Sequence, residues 1–262
     1  DRARPYQNLA LVFERERNLE SALYLYQKAL DLDDPEPRLS RFISYGNMGN
    51  IYRKRKEYDK AVQFLSAAIH VETGPYIDRV RYNLVLGLLN THQETEALHQ
   101  LAFLLAGQDT SSRFLTTRGF ILFQQGKIDA ALQHFRVALQ QSPHSMDLLL
   151  NMGMALSANG DRNRAETFLK KALDQYPGNL VTHLALLQHA LKTQDESRID
   201  QSLYQITNRF KLRDIEQYLT DRARGWHYVN DTLVPVDDTI IIPPLMEYLK
   251  QIAEDLHKSR VL

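Results

Sequence analysis

The side chains best suited to chemistry near neutral pH are nine histidines, and they are scattered along the chain. None stands in an HExxH pattern, and none has a carboxylate partner at ligand spacing. His92 and His99 are seven residues apart, a spacing that shares a helical face, but a turn falls between them. Cysteine is absent, which removes disulfides, thiolate metal ligands and cysteine nucleophiles. There is no glycine-rich phosphate loop and no nucleophile elbow. Asp and Glu fall mostly at exposed helix positions, without an isolated pair placed for acid–base work. The expectation is a chain with no catalytic residues, no metal site and no cofactor, and so not an enzyme.

Charge narrows the partners. Lys plus Arg and Asp plus Glu both number 32, giving a formal net charge of zero. A nucleic-acid binder needs a basic face to neutralise phosphates, so that class is not expected. Nor is there a net field to steer the chain toward a membrane surface. No apolar run approaches the ~20 residues that span a bilayer, so direct membrane insertion is not expected. No signal peptide is read, and the sequence starts at Asp1 already inside a helical pattern. It reads as a piece of a longer protein, whose flank would carry any targeting or membrane segments. A cysteine-free chain suits either the cytoplasm or a periplasm-facing position. The run Arg53–Lys54–Arg55–Lys56 is the densest positive charge, and it falls at a turn, where a solvated cluster is the ordinary outcome.

Behind these scattered groups stands a repeat. A small residue in one helical stretch is followed by a turn, then an alanine, an aromatic or leucine four residues later, and a further alanine. The first copy has Tyr6, Leu9, Ala10, Phe13, Ala22, Tyr26, Ala29 and Pro35. The second has Tyr45, Met48, Gly49, Tyr52, Tyr58, Ala61, Leu65 and Ala68. A weaker third has Leu84, Val85, Leu88, Ala97, Leu101 and Leu104. The fourth has Gly119, Leu122, Gly126, Ala131, Phe135, Ala138 and Pro143. The fifth has Met152, Gly153, Leu156, Gly160, Ala165, Leu169, Ala172 and Pro177. From Gly119 to Gly153 is 34 residues, as is Ala131 to Ala165 and Pro143 to Pro177.

This period and pattern resemble the tetratricopeptide-repeat (TPR) family, clearly over residues 3–179 and more faintly to about 212. The resemblance implies an all-α fold, a right-handed α-α superhelix (TPR solenoid) with a C-terminal capping segment. Five units are expected, at about residues 3–36, 42–75, 78–111, 112–145 and 146–179. Residues 180–222 read as a degenerate sixth unit and helical cap, with Leu187 and Ile199 at its close-crossing positions. Five extra residues around Pro37 to Arg41 should form a longer loop or an extra helical turn. With Val85 in place of a small residue, the third pair should pack less tightly. Gly126 and Gly160 suit left-handed caps of first helices, and Pro143 and Pro177 stop second helices.

In TPR proteins the first helices line a groove that holds an extended peptide or a partner helix, so the implied partner is a protein or peptide. By position, the groove residues would be Asn47, Asn50, Arg53, Arg79, Tyr82, Asn83, Arg113, Phe120, Phe123, Asn151 and Met154. Asn8, Asn47, Asn83 and Asn151 occupy the same place in four copies, and asparagine can both donate to and accept from a peptide backbone. The other reading of that ladder is hydrogen bonding between neighbouring helices. Asn50, Asn83 and Arg113 also look like part of the carboxylate clamp of chaperone-binding TPR domains, which wants basic residues where Gly46 and Thr117 stand here.

Beyond residue 222 the composition changes. Trp226, Tyr228, Asn230, Asp231, Pro235 and the β-branched run 239–242 read as an extended or hairpin-like excursion able to fold back into the groove. Pro243 and Pro244 then open a final capping helix to about Lys258, with Leu245, Leu249, Ile252 and Leu256 on one stripe. The main functional expectation is a binding scaffold. The alternative is an extracytoplasmic accessory domain of a multi-pass membrane protein in glycosyl transfer or polymer export. It rests on a resemblance of residues 4–10 and 182–187 to TPR tails of bacterial proteins of that kind.

Overall fold

The computed structural model describes residues 2–32, 35–71, 77–106, 111–211, 213–215, 217–218, 228–229, 232–233, 244–245 and 247–248. Helices dominate: α1 (Arg4–Arg15), α2 (Leu19–Leu30), α3 (Pro37–Lys54), α4 (Tyr58–Val71), α5 (Ile77–Asn90) and α6 (Glu94–Ala106). They continue as α7 (Ser112–Gln124), α8 (Ile128–Gln141), α9 (Met146–Ala158), α10 (Arg162–Gln175), α11 (Leu180–Thr193) and α12 (Glu196–Arg209). Two two-residue strands follow, β1 (Tyr228–Val229) and β2 (Thr232–Leu233), antiparallel with Tyr228 opposite Leu233 and Val229 opposite Thr232. The fold is an all-α array of helix pairs with this one small β element among the described residues. It divides into two compact units, Asp1–Asp109 and Thr110–Leu262.

In the N-terminal unit α1 packs on α2, α3 on α4 and α5 on α6, while α2 meets α3 and α4 meets α5. The C-terminal unit repeats this scheme with α7 through α12. Small residues set how closely each pair crosses. A Cβ placed on Gly49 would stand 2.6 Å from Leu65 Cγ, and one on Gly119 would stand 2.5 Å from Phe135 Cε1. On Gly153 it would meet Leu169 at 2.7 Å. No side chain fits at such distances without displacing a buried neighbour. The α1–α2 pair uses Ala10 against Ala22 and Tyr26, all at 0% exposure. In α5 the equivalent residue is Val85, fully buried in a pair with the fully buried Leu101. The glycine of α5, Gly87, serves a different contact: a Cβ there would lie 3.1 Å from Val62 of α4, in the preceding pair.

The extra residues near Pro37 extend a helix: α3 runs 18 residues, with Pro at its first position, where no N–H is needed. A buried lock fixes it to α1. Gln7 Nε2 donates to Ser40 O at 2.9 Å, to Ser40 Oγ at 3.2 Å and to Ser44 Oγ at 3.0 Å.

All six first helices end in the same way. Gly126 and Gly160 have φ of 74° and 82°, as caps of this kind require. Arg17, Lys56, His92 and Gln194 take φ of 61°, 62°, 57° and 55° at the equivalent turns, although each carries a Cβ. The second helices then start, several on a side-chain cap: Asn18 accepts from Ser21 N, Asp161 from Arg164 N and Asp195 from Arg198 N. The α8 and α10 helices stop at Gln141 and Gln175, two residues before Pro143 and Pro177.

Side chains are disfavoured in the left-handed region by about 1–2 kcal/mol. Arg17→Gly and Gln194→Gly, both at exposed turns, should therefore each raise unfolding free energy by about 0.5–1 kcal/mol in urea melts. Unchanged or lower midpoints would show that the turn geometry is otherwise.

Candidate functional site

In the N-terminal unit, the predicted groove residues on α3 and α5 form a polar face over a closed interior. Asn47, Asn50, Arg53, Tyr82 and Asn83 are half-buried and Arg79 is exposed. Between them Met48, Gly49, Ile51, Leu84 and Val85 are buried, turned toward the helix crossings. Arg53 Nη2 donates to Asn50 Oδ1 at 3.3 Å, one turn back along α3. Tyr26 of α2 donates its hydroxyl to Glu14 Oε1 at 2.8 Å. Burial first, and then the Glu14 carboxylate, push that phenol well above its ordinary range, while a hydrogen bond from Asn47 acts the other way. Asn47 thus ties α3 to the preceding pair, the inter-helix role open to the asparagine ladder from the start.

Two of the four cations in the run at the end of α3 are paired with carboxylates. Arg55 pairs with Glu20 and with Glu57, each at 2.7 Å, and Lys54 lies 3.7 Å from Glu14. Exposed pairs of this kind contribute little stability.

In the C-terminal unit three of the five predicted residues are buried. Arg113 is exposed, with its guanidinium 4.8 Å from the Phe114 ring centre, and Phe123 is half-buried. Phe120 and Met154 are 1% exposed and Asn151 is 0% exposed. Asn151 Nδ2 donates to Asp147 O at 2.7 Å, within its own helix. A partner meets none of these three without something moving first. Further along, Glu166 of α10 receives Arg198 of α12 and Lys170, each at 2.7 Å. Those two cations hold its carboxyl down to about 2, and Arg198 links the successive second helices α10 and α12.

The two departures from the carboxylate clamp have structural causes. Gly46 is buried, and a Cβ there would stand 3.2 Å from Val80 Cγ2 of α5, so the position serves helix packing. Thr117 is fully buried, and its hydroxyl donates to Arg113 O at 2.9 Å. Among the described residues, no group of three or more His, Asp or Glu side chains is placed to hold a metal ion. Among them also, no helix is long and apolar enough to cross a membrane.

Three family models, each described as tetratricopeptide repeat, match residues 1–71, 82–146 and 122–190. The chain is a tetratricopeptide-repeat protein. No curated protein matches the sequence. Among solved structures, the chain is similar to YrrB, a TPR protein with an unusual peptide-binding site. The two are 27% identical, with 68% of this chain and 88% of YrrB covered at a TM-score of 0.56. A TPR protein of Parabacteroides merdae is 15% identical, covering 94% of this chain and 98% of its own at 0.69. The pilF protein of Pseudomonas aeruginosa is 19% identical, covering 84% and 97% at 0.62. The last two share the fold. The TPR is a non-catalytic interaction module, and this TPR chain is a scaffold for a protein or peptide, not an enzyme.

Gly46→Lys supplies one basic residue that the clamp lacks. Because it inserts a side chain against Val80, it should cost about 1–3 kcal/mol in denaturant melts. It should also leave affinity for peptides with a free C-terminal carboxylate unchanged. A stable variant that gains such affinity would contradict the packing role of Gly46.

Proposed function

We propose that the TPR scaffold binds an extended peptide segment along the polar face of α3 and α5, through Asn47, Asn50, Arg53, Arg79, Tyr82 and Asn83. The carrying observation is the alternation on these two adjacent helices: the named side chains reach solvent while their apolar neighbours are buried. Asn83 and Asn50 offer amides for a peptide backbone, and Tyr82 offers an aromatic surface with a polar tip. Arg79 and Arg53 add positive charge that selects acidic side chains, arginine being a frequent interface anchor. The peptide-binding site of YrrB, at 27% identity, supports this class of ligand. In the C-terminal unit, Arg113 and Phe123 are the members of the predicted set open to a ligand.

The division into units at residues 3–36, 42–75, 78–111, 112–145 and 146–179 belongs to the same reading, each unit presenting its first helix. The surface would work equally in the cytoplasm or facing the periplasm. The second would suit an accessory domain tethered to membrane segments elsewhere in a parent protein.

Selection from a random peptide display library on the full chain tests the proposal. Selected peptides should be enriched in Asp and Glu. They should lose about tenfold or more in affinity for the double variant Arg79→Glu, Asn83→Ala, a loss of ~1.4 kcal/mol or more. The variant should keep its helical circular dichroism and melting temperature, since both side chains reach solvent. Equal binding to both proteins would place recognition elsewhere.

A further inference from the structure

Large apolar side chains reach solvent together on α1: Tyr6, Leu9, Leu11 and Val12 are all exposed on this one 12-residue helix. Tyr6, Leu9 and Val12 lie opposite its buried side, which is formed by Ala3, Gln7 and Ala10. The repeat covers the same places elsewhere. Counted from the crossing residues Ala10, Gly49 and Gly153, Leu9 and Val12 correspond to Met48 and Ile51 of α3 and to Met152 and Ala155 of α9. Met48 is 4% exposed, Met152 3%, and Ile51 and Ala155 0%, against 47% for Leu9 and 46% for Val12. In those pairs the preceding second helix packs on the first, α2 on α3 and α8 on α9. Among the described residues no second helix precedes α1. A contiguous apolar face left in water in this way marks a protein contact.

The charges at its two ends say which protein. Arg2 stands seven residues before Leu9 and Glu16 seven residues after it. Seven residues are close to two helical turns, so the three side chains fall on one line. Ala3 has helical φ and ψ of −82° and −31°, which carries that line back to Arg2. Both Arg2 and Glu16 are exposed. A second α1 laid antiparallel and centred on Leu9 brings Arg2 of each copy onto Glu16 of the other. It also sets Leu9 on Leu9 and Tyr6 beside Phe13. A parallel second α1 would instead set like charges together at both ends.

We propose that α1 is a self-association surface, where a second copy of this chain docks antiparallel through Tyr6, Leu9 and Val12, with Arg2 and Glu16 paired at each end. The contact is isologous, so it closes as a dimer and does not propagate. One helix from each side falls in the class below about 1,200 Å², which gives weak and reversible association. The surface is on α1 alone and is separate from the peptide face of α3 and α5.

Sedimentation equilibrium of the full chain tests this. Over about 5–500 µM the chain should pass from mostly monomer to mostly dimer. Leu9→Asp should raise the dissociation constant about tenfold or more. It should keep its helical circular dichroism and melting temperature, because Leu9 reaches solvent. Arg2→Glu and Glu16→Arg should each weaken the dimer about threefold or more, and the double exchange should restore it. In this cysteine-free chain Leu9→Cys should oxidise to a disulfide-linked dimer, while Tyr24→Cys on the exposed face of α2 should stay monomeric. A monomer at every concentration would overturn the proposal and leave α1 to another occupant. A dimer that survives Leu9→Asp would put the interface elsewhere. Weakening by both single charge changes without rescue in the double exchange would overturn the antiparallel register.

Discussion

Everything in this molecule depends on how closely two helices of a pair can cross. A glycine or alanine on the first helix lets the backbone come within reach of a large residue on the second: Gly49 under Leu65, Gly119 under Phe135, Gly153 under Leu169. Crossing there removes both apolar faces from water and fixes the rotation of the first helix about its axis. Once that rotation is set, the residue two places earlier points to the opposite side. The ladder Asn8, Asn47, Asn83 and Asn151 is therefore a consequence of the crossings as much as of any ligand.

The same rotation puts Arg79, Tyr82 and Asn83 on one open face of α5 and Asn47, Asn50 and Arg53 on that of α3. In the C-terminal unit the equivalent places are closed: Thr117, Asn151 and Ala185 have no exposed surface, and Phe120 and Met154 nearby are buried too. The two units thus differ at equivalent places, where side chains reach solvent in the first and are buried in the second.

What could be read in the sequence follows from where each determinant lies. Small residues at fixed offsets are local signals, so the helix pairs, the crossings at Gly49, Gly119 and Gly153, and the left-handed caps at Gly126 and Gly160 were legible. The same cap at Arg17, Lys56, His92 and Gln194 was not, since nothing in those side chains announces a positive φ. Val85 stands where the other pairs have glycine or alanine and is fully buried, while the small residue of α5, Gly87, faces Val62 of the preceding pair, which the repeat pattern did not announce. Groove positions were legible as positions, but their exposure was not. Asn47 and Asn151 look alike in the repeat, yet one is half-buried and the other fully buried, a difference of tertiary packing that has no periodic signature. Leu249, Ile252 and Leu256, the rest of the predicted final stripe, lie outside the described residues, as does most of the excursion at 226–242.

The most direct test is a thiol scan of the six equivalent places, replacing Asn8, Asn47, Asn83, Thr117, Asn151 and Ala185 one at a time with cysteine in this cysteine-free chain. The account predicts a break between the units. The first three thiols should react within about tenfold of a free peptide thiol, and the last three about 100-fold or more slowly. Uniform reactivity across all six would mean that the two units present the same face to solvent, and would contradict the account.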